Sequence, residues 1–136
     1  MIEKIEKDGN LIAVILRGNY ESEGVDFITD DDNPLQVGVL THPRGSEIKP
    51  HVHRSIPREI SSIQEVLHIE RGVVEALIYD DSGAQFGSWT LNADDTILLI
   101  TGGHGFNILE DAKILEVKQG PYLDASKDKS RLEIKY

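Results

Sequence analysis

A chain of 136 residues and 15.2 kDa reads as one domain, residues 1–136, large enough to bury roughly two-thirds of its unfolded surface without a covalent staple. Twenty-four acidic against 14 basic residues give a net charge of −10, which argues against nucleic-acid phosphates and against an anionic membrane surface as partners. There is no cysteine, so disulfides, cysteine zinc sites, iron–sulfur clusters and thiol nucleophiles are excluded, and any metal must take His, Asp, Glu or other oxygen ligands.

Met1–Lys7 alternates charge and has no apolar stretch of signal-peptide length. The longest apolar run, Leu11–Leu16, is too short to span a bilayer. The expectation is a soluble, cytoplasmic protein. The same two stretches, Ile2–Lys7 and Leu11–Arg17, read as strands joined at Asp8-Gly9-Asn10, a hairpin signal. Val25–Thr29 and Leu35–Leu40 follow, separated by Asp30-Asp31-Asp32-Asn33-Pro34. Arg58–Leu67 is ambiguous: Ile60, Ile63 and Leu67 have helical spacing, and Ser61 can cap a turn. It reads as a loop with at most one helical turn, feeding a strand over Glu65–Glu70. Val73–Tyr79, Trp89–Leu91 and Thr96–Ile100 continue the β pattern, with breaks at Asp80-Asp81-Ser82-Gly83 and Asn92-Ala93-Asp94-Asp95. Glu110-Asp111 is expected to turn His104–Leu109 into Lys113–Lys118. Asp124–Lys129 is polar and irregular, and Arg131–Tyr136 is a candidate edge strand. Many short strands with regularly spaced turns predict an all-β sandwich or barrel.

The histidines carry the chemistry. His51 and His53 stand two apart. On an extended segment both imidazoles share one face, about 6.6–7 Å apart at Cα, within reach of one metal ion. Glu65 shares its strand face with Leu67 and Ile69, so its carboxylate points toward a core and needs a partner, either a metal or a cation. His104 lies in a glycine-rich run and shares a face with Phe106 and Ile108. Three histidines and one carboxylate converging inside a barrel make a 3-His-1-Glu site. His42, beside Pro43, and His68, on the face opposite Glu65, read as surface or packing residues.

The run Gly45-x5-His51-x-His53, followed by Glu65-x6-Gly72, resembles the first sequence motif of the cupin superfamily. Asp94-x5-Ile100-x-Gly102-x-His104-x2-Asn107 is similar to the second motif, with its glycine and proline replaced and two gaps shortened. Leu115-Glu116-Val117-Lys118-Gln119-Gly120-Pro121-Tyr122, with Lys127-Asp128-Lys129 after it, resembles the ending of small single-domain cupins encoded in bacterial surface-polysaccharide (O-antigen) gene clusters. The resemblance covers about residues 35–120. It implies a double-stranded β-helix, the jelly-roll barrel of cupins. It also implies His51, His53, Glu65 and His104 as ligands of a divalent transition metal (Fe, Mn, Ni, Zn or Cu), and a homodimer.

A local excess of charge bears on the ligand. From His42 to Arg58 four basic side chains, Arg44, Lys49, Arg54 and Arg58, face one acid, Glu47. At a barrel mouth Arg54 and Arg58 would attract a small anion such as a sugar acid or phosphate, and a solvated loop is the competing reading. Phe106 and Tyr122 are candidate ligand contacts. No GxSxG nucleophile pattern occurs, and Gly102-Gly103-x-Gly105 lacks the helix and lysine of a phosphate loop. The expected function is metal binding with chemistry on a small, carbohydrate-related molecule, of metal-dependent isomerase or oxygenase type, with Glu65 as a possible base. Two alternatives stay open: a non-catalytic small-molecule-binding cupin, and a metal-free sugar-nucleotide epimerase or isomerase on the same barrel.

Overall fold

Asp8 and Gly9 both hold positive φ, 53° and 78°, as a two-residue type I′ turn requires. They join β1 (Ile2–Lys7) to β2 (Asn10–Leu16), with Lys7 paired to Asn10. The computed structural model of the chain describes residues 1–124, 126 and 130–132. The chain divides into two compact units, Met1–Tyr20 with Ile63–Tyr136, and Glu21–Ser62. Apart from Ser126, every described residue in regular secondary structure lies in a strand, and strands hold about half the chain.

The first unit is a curled antiparallel sheet, a half-barrel. The remaining strands are β5 (Glu65–Tyr79), β6 (Gln85–Leu91), β7 (Thr96–Leu99) and β8 (Gly103–Lys118). The order is β1-β2-β7-β5-β6, with β8 along the other edge of β5. β5 therefore serves two neighbourhoods. Its first residues, Glu65–His68, pair with β7 and with Lys118–Leu115 of β8. Its last residues, Val74–Tyr79, pair with β6 and with Ile108–Gly103 of β8.

Between the two halves the ribbon turns a corner. The β5–β8 register shifts between Ile69 and Val74, and Gly72 takes φ 89°, where an L side chain is strained. A Cβ there would also collide with the Asp111 carbonyl. Bulges of this kind bend a ladder without ending it. That overturns the expected turn at Glu110-Asp111: these residues oppose the corner and β8 runs through it. Glu65–Glu70 and Val73–Tyr79 are likewise one strand.

The corner folds apolar faces toward each other. The bend shifts the parity of β5: its inward positions are Leu67 and Ile69 before it and Val74, Ala76 and Ile78 after it; all five are buried. They pack with Ile5, Ile12, Ala13, Ile15, Leu91, Ile97 and Leu99, flanked by Phe86, Trp89, Phe106, Ala112 and Ile114. Burial at this scale supplies the main driving force of folding. Lys7 Nζ donates to Asp80 at 2.5 Å beside the first hairpin. At the far end of β2, Arg17 bonds Asp95 at 2.9 Å and Glu3 at 2.5 Å.

The second unit contains one hairpin, β3 (Gly24–Phe27) with β4 (Gly38–Thr41). Gly38 opposes Phe27, whose ring occupies the space a Cβ would take. The Ser22 hydroxyl lies 2.6 Å from the Gly24 carbonyl. The strands expected at Val25–Thr29 and Leu35–Leu40 are present over slightly different bounds, and they pair with each other. Residues 42–64 form no strand and no helical turn.

Among the described residues no helix is long and apolar enough to cross a membrane. Arg131 and Leu132 lie in no strand. Glu133–Tyr136, Ala125 and Lys127–Lys129 fall outside the described residues.

Candidate functional site

Glu65 opens β5 on the inward face, two residues before buried Leu67. His104 lies on the inward face of β8, opposite Ile78 at the other end of β5. The corner at Gly72 brings these ends together. His104 Nε2 stands 3.3 Å from Glu65 Oε2, with side chains 32% and 19% exposed. The carboxylate on an apolar face has found its partner, and that partner is the histidine singled out by the glycine-rich run. The His104 ring tilts against Phe106, centroids 5.9 Å apart.

Glu116 belongs to the same cluster. It pairs with Leu67 in the ladder, and Lys118 pairs with Glu65. The hydrogen bond from His104 holds the Glu65 carboxyl below its usual range, against the opposing effect of burial. Burial, and then the negative charge of Glu65, push the Glu116 carboxyl up. Two neighbouring carboxyls are thus driven apart in acidity, with the proton favoured on Glu116 and the charge on Glu65. Sequence reasoning missed Glu116 and Lys118. Their signal was parity: Phe106, Ala112 and Ile114, at even positions of β8, pack against the core, and Glu116 and Lys118 share that parity.

His51 and His53 lie in the second unit, on exposed chain that pairs with no strand. The expectation of a laddered strand under them is not met. Their rings nevertheless stand together, centroids 5.3 Å apart and edge to face. The His51 Nδ1 lies 2.9 Å from the Lys49 carbonyl. Arg54 and Arg58 are exposed on the same stretch. Tyr122 is 73% exposed. His68 faces away from the inward side, with Nδ1 2.9 Å from the Thr96 hydroxyl, and His42 is exposed. Among the described residues no three His, Asp or Glu side chains are grouped to hold one metal ion.

No protein-family model, curated protein or solved structure matches this chain. The functional reading therefore rests on the residues themselves.

The donor chemistry fits a divalent transition metal. Neighbouring ligands at metal–ligand distances of ~2.0–2.2 Å lie roughly 3.0–3.5 Å apart, the separation seen between Glu65 and His104. By the same arithmetic two imidazoles on one ion keep ring centroids roughly 4.5–5.5 Å apart, which brackets His51 and His53. Carboxylate and imidazole together suit iron, manganese, nickel, zinc or copper. The Glu65–His104–Glu116 cluster can also act without a metal, as an acid and a base side by side.

Proposed function

We propose that the chain is a metal-binding jelly-roll protein of cupin type, with His51, His53, Glu65 and His104 as ligands of a divalent transition metal. Its ligand is a small, anionic, carbohydrate-related molecule, and it works in the cytoplasm as a homodimer. The observation that carries this reading is the Glu65–His104 pair, set 3.3 Å apart on the inward face by the β5–β8 corner. For His51 and His53 the support is the HxH motif and the ring spacing. For the carbohydrate ligand it is the motif resemblance together with the local excess of basic residues.

When bound, the metal would supply Lewis-acid polarisation of a ligand oxygen. The chain's own residues do the rest. Before metal binds, the hydrogen bond between His104 and Glu65 holds the two side chains together, and ligation would replace it. Burial and the Glu65 charge raise the Glu116 carboxyl's pKa, so it takes up a proton more readily. Phe106 presents an apolar surface next to His104, suited to the carbon face of a ring. Titration calorimetry with Mn2+ or Ni2+ tests the reading. Wild type should bind about one equivalent, and Glu65→Gln or His104→Ala should weaken binding at least ~10-fold, the usual effect of losing a ligand or its support. Equal binding by all three proteins would remove the site.

A second reading has its own observation, the divergence of Glu65 and Glu116 in acidity. Two neighbouring carboxyls whose acidities are pushed apart suit the roles of base and acid in proton transfer at a carbon next to a carbonyl. It keeps the metal-free epimerase or isomerase alternative and puts a carboxylate, not a histidine, in the role of base. Its signature is turnover that survives exhaustive chelation and falls with Glu116→Gln.

A further inference from the structure

Lys118 ends β8 and stands directly opposite Glu65 in the β5–β8 ladder. Directly opposed residues of an antiparallel pair point to one face of the sheet, with Cβ atoms ~4.5–5.5 Å apart. Lys118 therefore shares the inward face with Glu65, and Glu116, opposite Leu67, shares it too. The ammonium lies close enough for its charge to act on both carboxyls. Lys118 is also exposed, and its flexible stem can carry the charge to an incoming molecule. Next to the carboxyls, His104 Nε2 is 3.3 Å from Glu65 Oε2, and the Phe106 ring lies against the imidazole. One inward patch of the first unit thus holds two acids, an imidazole, an ammonium and an aromatic ring.

The formal charges decide what this patch attracts, and in which order. With both carboxyls ionised, two negative charges face one ammonium, and the patch draws a cation to the donors of Glu65 and His104. A divalent ion there, together with Lys118, outweighs both carboxyls, whether or not Glu116 carries a proton. The bound ion becomes the largest local charge and reverses the sign of the patch. It then draws an anion. This reversal needs no charge from Arg54 or Arg58, which belong to the other unit.

We propose that Lys118 is the anion-binding residue of this site, taking the carboxylate or phosphate group of a small sugar-like molecule once the metal is in place. This rests on the metal reading above and adds to it the side chain that selects the ligand's charge and the order in which metal and ligand bind. Lys118 gives the anion a charge-assisted hydrogen bond, while Phe106 offers an apolar surface to the carbon face of the ring. An uncharged sugar gains only the second contact. The ammonium acts in opposite directions on the two ligands, as a like charge toward the metal and an opposite charge toward the anion. Metal and anion favour each other's binding by the same factor, as linkage requires.

Titration calorimetry tests this on the full chain, loaded with Ni2+, freed of excess metal and titrated in turn with glucuronate, glucose 6-phosphate and glucose. At least one of the two anions should bind, and which one does distinguishes a carboxylate ligand from a phosphate one. Glucose, and the same anion offered to metal-free protein, should bind roughly tenfold more weakly or worse, the usual effect of losing a hydrogen bond between charged groups. Lys118→Met should weaken the anion by a similar factor yet bind Ni2+ at least as tightly as wild type, because a like charge has gone. Lys118→Arg should restore the anion. A purely structural role for Lys118 would instead weaken metal and anion together, and that result would overturn the assignment. So would equal anion affinity in Lys118→Met and wild type, equal affinity for glucose, or full anion affinity without metal; each of these leaves the metal site standing. Loss of anion binding in Arg54→Ala/Arg58→Ala, with Lys118→Met unaffected, would move the contact to the basic stretch. Failure of wild type to bind Ni2+ would bring down the metal reading and this inference with it.

Discussion

Asp95 organises the end of the half-barrel from a nearly buried position, 5% exposed. Its carboxylate accepts hydrogen bonds at 2.9 Å from Arg17, from the Gly18 amide and from the Asn92 amide. Removing it leaves three donors short of a partner, so Asp95→Ala should cost about 3 kcal/mol in urea unfolding. Asp80 gives the pH dependence. The Lys7 ammonium, the Ser82 hydroxyl and the Ala84 amide hold its carboxyl well below the ordinary aspartate range. A folded pKa below the unfolded one stabilises above the unfolded value, near 3.8, and that stabilisation is lost as pH falls through the folded value. The melting-temperature gap between wild type and Asp80→Asn should therefore be open at pH 7 and shrink by pH 3; a constant gap would contradict the assignment. Glu116 has the opposite sign. Its raised pKa disfavours the folded state as pH rises, so Glu116→Gln should stabilise at pH 7 by a few tenths of a kcal/mol, after discounting for its solvent exposure. At this scale Glu65 was legible, because a carboxylate between apolar neighbours demands a partner. Glu116 was not, because Leu115 and Val117 beside it look like the buried pair, yet they are 53% and 52% exposed.

The long bent ribbon of β5 and β8 creates the site. Straight strands of 15 and 16 residues would hold their ends roughly 50 Å apart, at ~3.3 Å per residue. The corner at Gly72 instead returns Ile78, and with it His104, to Glu65. Gly72→Ala introduces both a strained φ and a clash with the Asp111 carbonyl. It should cost roughly 2–4 kcal/mol, and it should weaken metal binding without touching a ligand. A variant as stable as wild type would show that the corner does not depend on glycine. The strands themselves were readable from alternation and turn residues, and the Asp8-Gly9 hairpin from its dipeptide alone. The Glu110-Asp111 corner was misread because acidic residues in sequence mark a turn and a bulge alike. Only the pairing with β5, which continues past these residues on both sides, distinguishes the two. The laddered strand expected at His51 and His53 failed for a different reason. The two-residue spacing of His51 and His53 puts both rings on one face of an extended backbone, and it does not state that a neighbouring edge is paired.

For the whole molecule, a charge of −10 speaks against polyanionic partners. The same charge is spread unevenly. The exposed run with Arg44, Lys49, Arg54 and Arg58 is basic, and the inward cluster combines Glu65, Glu116, His104 and Lys118. A small anion and a divalent cation are the two kinds of ligand this distribution can hold. Elemental analysis of untagged protein, purified without chelator from cells grown with added transition metals, separates a metal protein from an acid–base one. Wild type should carry close to one equivalent of a first-row transition metal, and His51→Ala, Glu65→Ala and His104→Ala should each carry far less. A metal content that is negligible in wild type, or the same in all four proteins, would contradict the metal site.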